Sequence, residues 1–242
     1  YLLQSEKSKI LIDLGLSMKE LEARLSLIGV LPNEIDAVLV THEHNDHVKG
    51  VFPFSRRYGT KVYINYPTIK RTITKMKKVA VDEFDSAEPF TLNDLKITPF
   101  SVSHDAADPV GFAISAGDKK VAIATDLGIV TNLVRTNLMG CDALVIESNH
   151  DPDMLMSGPY PWFLKQRVRG REGHLSNEAA LELLGDVVCE KTKHVFMAHL
   201  SEVNNAEQKV IEDVIKLHKK RDNSDISFTI SCQKSTSEII EI

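Results

Sequence analysis

At 242 residues, 43% of them hydrophobic, the chain is long enough to bury a full core and suits one α/β domain. No apolar run approaches the roughly 20 residues that span a bilayer, and the first residues, Tyr1-Leu2-Leu3-Gln4-Ser5-Glu6-Lys7, lack the basic start and apolar middle of a secretion signal, which points to a soluble, cytoplasmic protein with no membrane partner. The net charge of −5 conceals a local excess, because between Val48 and Val81 there are nine Lys or Arg and no Asp or Glu.

In chain order, Leu2-Leu3 and Lys9 to Asp13 read as a hairpin. Ser17-Met18-Lys19-Glu20 is a capping box, and Leu21, Leu25 and Ile28 then repeat at helical spacing until Gly29. Asp36 to Val40 is a strand, and its unbroken apolar run, Ala37 to Val40, is the mark of a sheet covered on both faces. A short helix from about Val48 to Arg57, a strand Lys61 to Asn65 and a basic helix opened by Pro67 follow. Two hairpins come next, Pro89 to Leu92 with Leu95 to Val102 and Gly111 to Ser115 with Lys120 to Ala124. The pattern then becomes helix Asn132 to Met139, strand Ala143 to Ile146, helix Glu178 to Val188, strand His194 to Ala198, helix Glu207 to Lys219 and strand Ile226 to Ile230. Between Glu147 and Leu175 the Pro and Gly punctuation predicts a long loop, which is usually functional, and it holds a second basic cluster of Lys165, Arg167, Arg169 and Arg171. Cys141, Cys189 and Cys232 are odd in number and set among apolar neighbours, so buried free thiols in a reducing compartment are expected.

The chemistry starts at Thr41-His42-Glu43-His44-Asn45-Asp46-His47, directly after the apolar strand. Imidazole and carboxylate are the usual ligands of zinc, manganese and iron, and solvated loop residues are the plainer alternative. His104, Asp126 and His199 each follow an apolar strand and are candidates for the missing ligands. The basic run beside the His cluster is either a solvated helix face or a phosphate-binding surface.

With Thr41 to His47, Ser103-His104-Asp105, Ala124-Thr125-Asp126 and Ala198-His199-Leu200-Ser201, the sequence resembles the metallo-β-lactamase-fold superfamily over almost its whole length. The resemblance implies an α/β (α+β) architecture, a four-layer αββα sandwich of two mixed sheets, with residues 1–242 as one domain. It also implies two divalent metal ions (Zn, Mn or Fe), with His42, His44 and His104 on one, Asp46, His47 and His199 on the other, and Asp126 bridging. Asp13 looks like the residue that orients the His loop. The superfamily's β-lactamases usually carry Cys where Asp126 stands, and its flavodiiron oxygen reductases usually carry Glu where His44 stands, so neither branch fits.

Glu147-Ser148-Asn149-His150-Asp151, Pro159-Tyr160-Pro161, Arg169 to Asn177 and His199 to Asn205 are similar to the YycJ/WalJ-type bacterial nucleases, relatives of ribonuclease Z. That resemblance implies a nucleic-acid phosphodiesterase, DNA ahead of RNA, acting as a 5′-to-3′ exonuclease through a hydroxide generated between the metals. It also implies a strand and a Gly/Ser-rich loop ahead of Tyr1. Asp46 would orient the nucleophile or take its proton, His174 would serve the leaving oxygen, and Glu147 would orient His174. Asn149, Arg169, Ser176 and Asn177 are candidate substrate contacts. A thioesterase or lactonase of the same fold, a ribonuclease, and a metal-stabilised binding protein are the alternatives; the oligomeric state is open.

Overall fold

The computed structural model describes residues 1–221 and 225–242, with side chains 217–221 also outside the described set. The first five strands, β1 (Leu2–Gln4), β2 (Lys9–Ile12), β3 (Ala37–Leu39), β4 (Lys61–Asn65) and β5 (Val81–Phe84), form one sheet in sequential order. The second sheet contains β6 (Phe90–Leu92), β7 (Leu95–Ser101), β8 (Val110–Ala116), β9 (Lys119–Ala124), β10 (Ala143–Glu147), β11 (His194–Ala198) and β12 (Ser227–Ile230), in the order β12-β11-β10-β9-β8-β7-β6. Both sheets are mixed, since β1 is antiparallel to β2 while β2, β3 and β4 run parallel, and β8 is antiparallel to β9 while β9, β10 and β11 run parallel.

The chain divides into two compact units, Tyr1–Pro99 with Ala106–Val110, and Phe100–Asp105 with Gly111–Ile242. In the first, helices α1 (Met18–Leu27), α2 (Asn45–Val48), α3 (Val51–Tyr58) and α4 (Tyr66–Thr72) accompany the sheet. Its core gathers Leu11, Val38, Val40, Val48, Phe52, Phe54, Val62 and Ile64. Phe52 and Phe54 are buried, and at about 1.5–3 kcal/mol each they anchor α3 despite Pro53, which sits in the first turn where no helical N–H is lost. Ser17 caps α1 by accepting from the Glu20 amide, but the Glu20 carboxylate pairs with Arg24 at 2.6 Å, so the expected box is only half made.

The second unit has its own core, including Leu127, Leu144, Ile146, Leu183, Leu184, Val195 and Met197. Its helices are α5 (Asn132–Leu138), α6 (Pro152–Ser157), α7 (Trp162–Val168), α8 (Asn177–Val187) and α9 (Glu207–Arg221). The stretch 147–175 is therefore not one long loop. Asp151 caps α6 by accepting from the Met154 amide, and the chain after Pro161 turns into α7. The expectation of three buried thiols also needs correction: all three are free, but only Cys141 is buried, while Cys189 is exposed and Cys232 intermediate. No described helix is long and apolar enough to cross a membrane.

Candidate metal centre

In the first unit the parallel register Ile12↔Leu39 sets the ends of β2 and β3 side by side. Asp13 leaves β2 with φ 55°, and its amide donates to the Leu39 carbonyl, which turns its carboxylate toward the start of the His segment. There it accepts from the Thr41 amide at 2.9 Å and the Thr41 hydroxyl at 2.7 Å, and it meets His47 Nδ1 at 2.7 Å. His42 Nδ1 lies 3.0 Å from Thr41 Oγ1. The His42 ring centroid is 4.6 Å from that of His44 and 4.1 Å from that of His47, and Asp46 Oδ2 is 3.7 Å from His47 Nε2. Burial pushes the Asp13 carboxyl upward, but the attraction of His47 and His42 outweighs it and leaves its pKa below the ordinary value.

The second unit repeats the device. Three parallel strands in register, with Ala124 opposite Ile146 and Glu147 opposite Ala198, bring Asp126, Glu147 and His199 to one edge. Asp126 and His199 both adopt the left-handed region, at φ 59° and 58°. Such values are uncommon for residues with a side chain and gather where geometry is imposed by function. Glu147, fully buried, is the hub. Its Oε1 meets His174 Nδ1 at 2.8 Å and His199 Nδ1 at 2.9 Å, while its Oε2 accepts the Leu127 and Leu175 amides at 3.0 Å each. Burial raises this carboxyl's pKa, but the bonds from His174 and His199 prevail and hold it well below the usual carboxylate range.

His104 Nδ1 faces the Gly173 carbonyl at 3.1 Å, and its Nε2 lies 3.7 Å from Asp126 Oδ1. His199 Nε2 lies 3.4 Å from the same oxygen. Burial lowers the His104 pKa, favouring the neutral imidazole that a metal requires. For His174, burial also disfavours charge, but the Glu147 carboxylate overcomes it and raises the pKa. Asp126, Glu147, His174 and His199 each offer a ligand-type atom within 4.8 Å of the others.

The donor chemistry fits divalent metals. In His42, His47, His104 and His199 the Nδ1 atom faces a hydroxyl, carboxylate or carbonyl, the arrangement that orients a histidine to ligate through Nε2. Among the candidate substrate contacts, Arg169 is exposed. Asn149 donates to the His199 carbonyl at 2.9 Å, Ser176 caps α8 by accepting from Ala179, and buried Asn177 bonds Ser148 and Asn205. Sequence reasoning gave Asn149 no part in holding His199, and it did not foresee that Glu147 orients two histidines. The apolar strand before each residue is the only signal for either.

The family described as beta-lactamase superfamily domain matches residues 8–199. The chain is 37% identical to exodeoxyribonuclease YycJ of Bacillus anthracis, over 84% of this chain and 78% of that protein. It is 36% identical to exodeoxyribonuclease WalJ of Streptococcus pneumoniae serotype 2, over 86% and 79% respectively. Among solved structures, the metallo-β-lactamase fold protein YhfI of Bacillus subtilis aligns with a TM-score of 0.70 at 18% identity, covering 95% of this chain and 87% of that one, a likeness of fold.

Proposed function

The chain belongs to the beta-lactamase superfamily and, within it, to the family of the YycJ/WalJ proteins, and from that membership we propose that it removes nucleotides from the ends of DNA in the 5′-to-3′ direction, in the cytoplasm. It is a metal-dependent hydrolase of phosphodiester bonds, a nuclease of the metallo-β-lactamase fold. The observation that carries the reading is the Glu147 hub, which fixes one histidine for a ligand's task and a second for a proton's.

The residues that would hold divalent ions, two of zinc, manganese or iron, are His42, His44, Asp46 and His47 from the first unit and His104, Asp126 and His199 from the second. When bound, such ions would supply a nucleophile from water at neutral pH and would neutralise charge on the phosphodiester. The chain's own groups do the rest. Asp13 fixes the His47 ring through Nδ1, and Thr41 does the same for His42. Asp46, with an exposed carboxylate, accepts the proton released as water attacks phosphorus. His174, whose pKa the Glu147 carboxylate raises through Nδ1 against the effect of burial, donates from Nε2 to the departing sugar oxygen. Arg169 is proposed to meet a substrate phosphate.

The test is degradation of end-labelled single- and double-stranded DNA beside RNA, with metal-loaded protein. DNA shortened from its 5′ end supports the reading; intact DNA and RNA with turnover of a thioester overturns it. Asp126→Ala is expected to abolish turnover. His174→Ala is expected to lower kcat by about 10²-fold or more with metal content unchanged; loss of a metal equivalent would place His174 among the ligands instead.

A further inference from the structure

Next to the His segment, within the first unit, lies a cavity of about 560 Å³ lined by five cations, together with Asn45, Phe52, Pro53 and Thr74. Lys49 and Arg56 form one wall, and Lys75, Lys77 and Lys78 form the other. Lys49, Phe52, Pro53 and Arg56 stand at helical spacings of three, four and seven, so two cations bracket an apolar floor on one face. The Arg56 guanidinium donates to the Lys75 carbonyl at 2.9 Å and joins the walls. Asn45, between His44 and Asp46, closes the near end.

The other cations of this acid-free run are partly spent elsewhere: Arg57 pairs with Glu22, Lys61 pairs with Asp82, and Lys70 lies over the Tyr66 ring. Among the described residues no carboxylate pairs with Lys49, Lys75, Lys77 or Lys78, and no acidic residue lines the cavity. Lys78 stands at a left-handed position, φ 60°, where glycine or asparagine would sit without strain. A solvated face spreads its lysines; here they converge from two segments upon one space, which costs repulsion until an anion enters.

We propose that this groove is a docking site for the phosphodiester backbone of the polynucleotide, holding the strand on nucleotides beyond those being cleaved; it rests on the nuclease reading above. The wall from Lys49 to Arg56 is about 10 Å long at 1.5 Å per residue, longer than a single anion needs. Half-buried Pro53 offers the sugars an apolar contact. Asn45, which lines the groove, is the chain neighbour of the proposed ligands His44 and Asp46 on both sides.

The test is binding of a fluorescent, phosphorothioate-linked single strand to metal-loaded protein, by anisotropy across a salt series. Replacing Lys75, Lys77 and Lys78 together with Gln is expected to raise Kd at least tenfold near 0.1 M salt. The slope of log K against log salt should flatten by about 2, three contacts at about 0.7 each. The matching triple Arg variant should retain affinity and slope. A control removing Lys7, Lys19 and Lys96, exposed in the same unit, should shift Kd less than twofold. The groove is refuted if the Gln triple binds within twofold of wild type, if the control loses as much, or if the wild type binds anionic lipid vesicles and not the strand. The nuclease reading fails separately: wild type that binds the strand with the expected slope yet leaves end-labelled DNA intact retains the groove and loses the exonuclease.

Discussion

Asp13, Asp126 and His199 share a backbone state that ordinary side chains avoid, and each stands one or two residues beyond the end of a strand. Their identity was legible because a ligand-type residue after an apolar run is a recognisable signal. Their conformation was not, since no residue among them is a glycine or follows a turn motif. Burial sets the behaviour of the thiols in the same residue-by-residue way. Desolvation pushes the Cys141 thiol up to about 11, so at pH 8 only about one molecule in a thousand carries the reactive thiolate there. At Cys189 partial burial works against ionisation, but backbone N–H groups of Lys191 and Thr192 prevail and lower its pKa, whereas the Glu207 carboxylate raises that of Cys232. Iodoacetamide at pH 8 is therefore expected to label Cys189 first and to spare Cys141 until denaturant is added, read by peptide mass mapping. Equal rates at Cys141 and Cys189 in the folded protein would contradict this.

Among the elements, those with a periodic apolar pattern or turn chemistry were legible: β3, α1, α8, and the β6–β7 hairpin, where Asn93 takes φ 51° at the turn. Strand β5 was not, because Val81-Asp82-Glu83-Phe84 has no alternation. It exists through parallel pairing with β4 and through Phe84, whose ring stacks on Phe90, as does Tyr63. The helices α6 and α7 are six and seven residues long, too short to show a period among the surrounding prolines. Tertiary contact also explains Gly15. A Cβ there would overlap the Asp46 carbonyl oxygen, because the strap after β2 lies flat on α2, with the Leu14 amide donating to the His47 carbonyl at 2.7 Å and Gly50 to Leu14 at 2.7 Å. Gly15→Ala must push these backbones apart and pull Asp13 from His47. The expected result is a loss of about 1–3 kcal/mol in a urea melt and a metal affinity weakened by about 10–100-fold in titration. Wild-type values for both would show that the strap yields without cost.

For the whole molecule, the charge asymmetry was legible in composition, but the groove was not, since only folding brings residues 74–78 over the face of α3. The same distinction governs how the protein should respond to metal removal. Zinc fingers unfold without their ion because little else holds them. Here each unit has an apolar core of its own, and two carboxylates that orient the histidines are satisfied by protein donors: Asp13 by Thr41 and His47, Glu147 by two amides and two imidazoles. Chelation should thus abolish DNA degradation while the far-UV circular dichroism stays native. Stability should fall only by the free energy of binding: at a free ion concentration about 100 times Kd this is about 2.7 kcal/mol. For a chain of this length each kcal/mol moves Tm by about 2–4 °C, so the shift on adding Mn²⁺ or Zn²⁺ back should be about 5–11 °C and grow with ion concentration. Calorimetry of chelated and reloaded protein measures it. Collapse of the circular dichroism spectrum on chelation would mean that the ions, rather than the bonds of Asp13 and Glu147, hold the ligand residues in place.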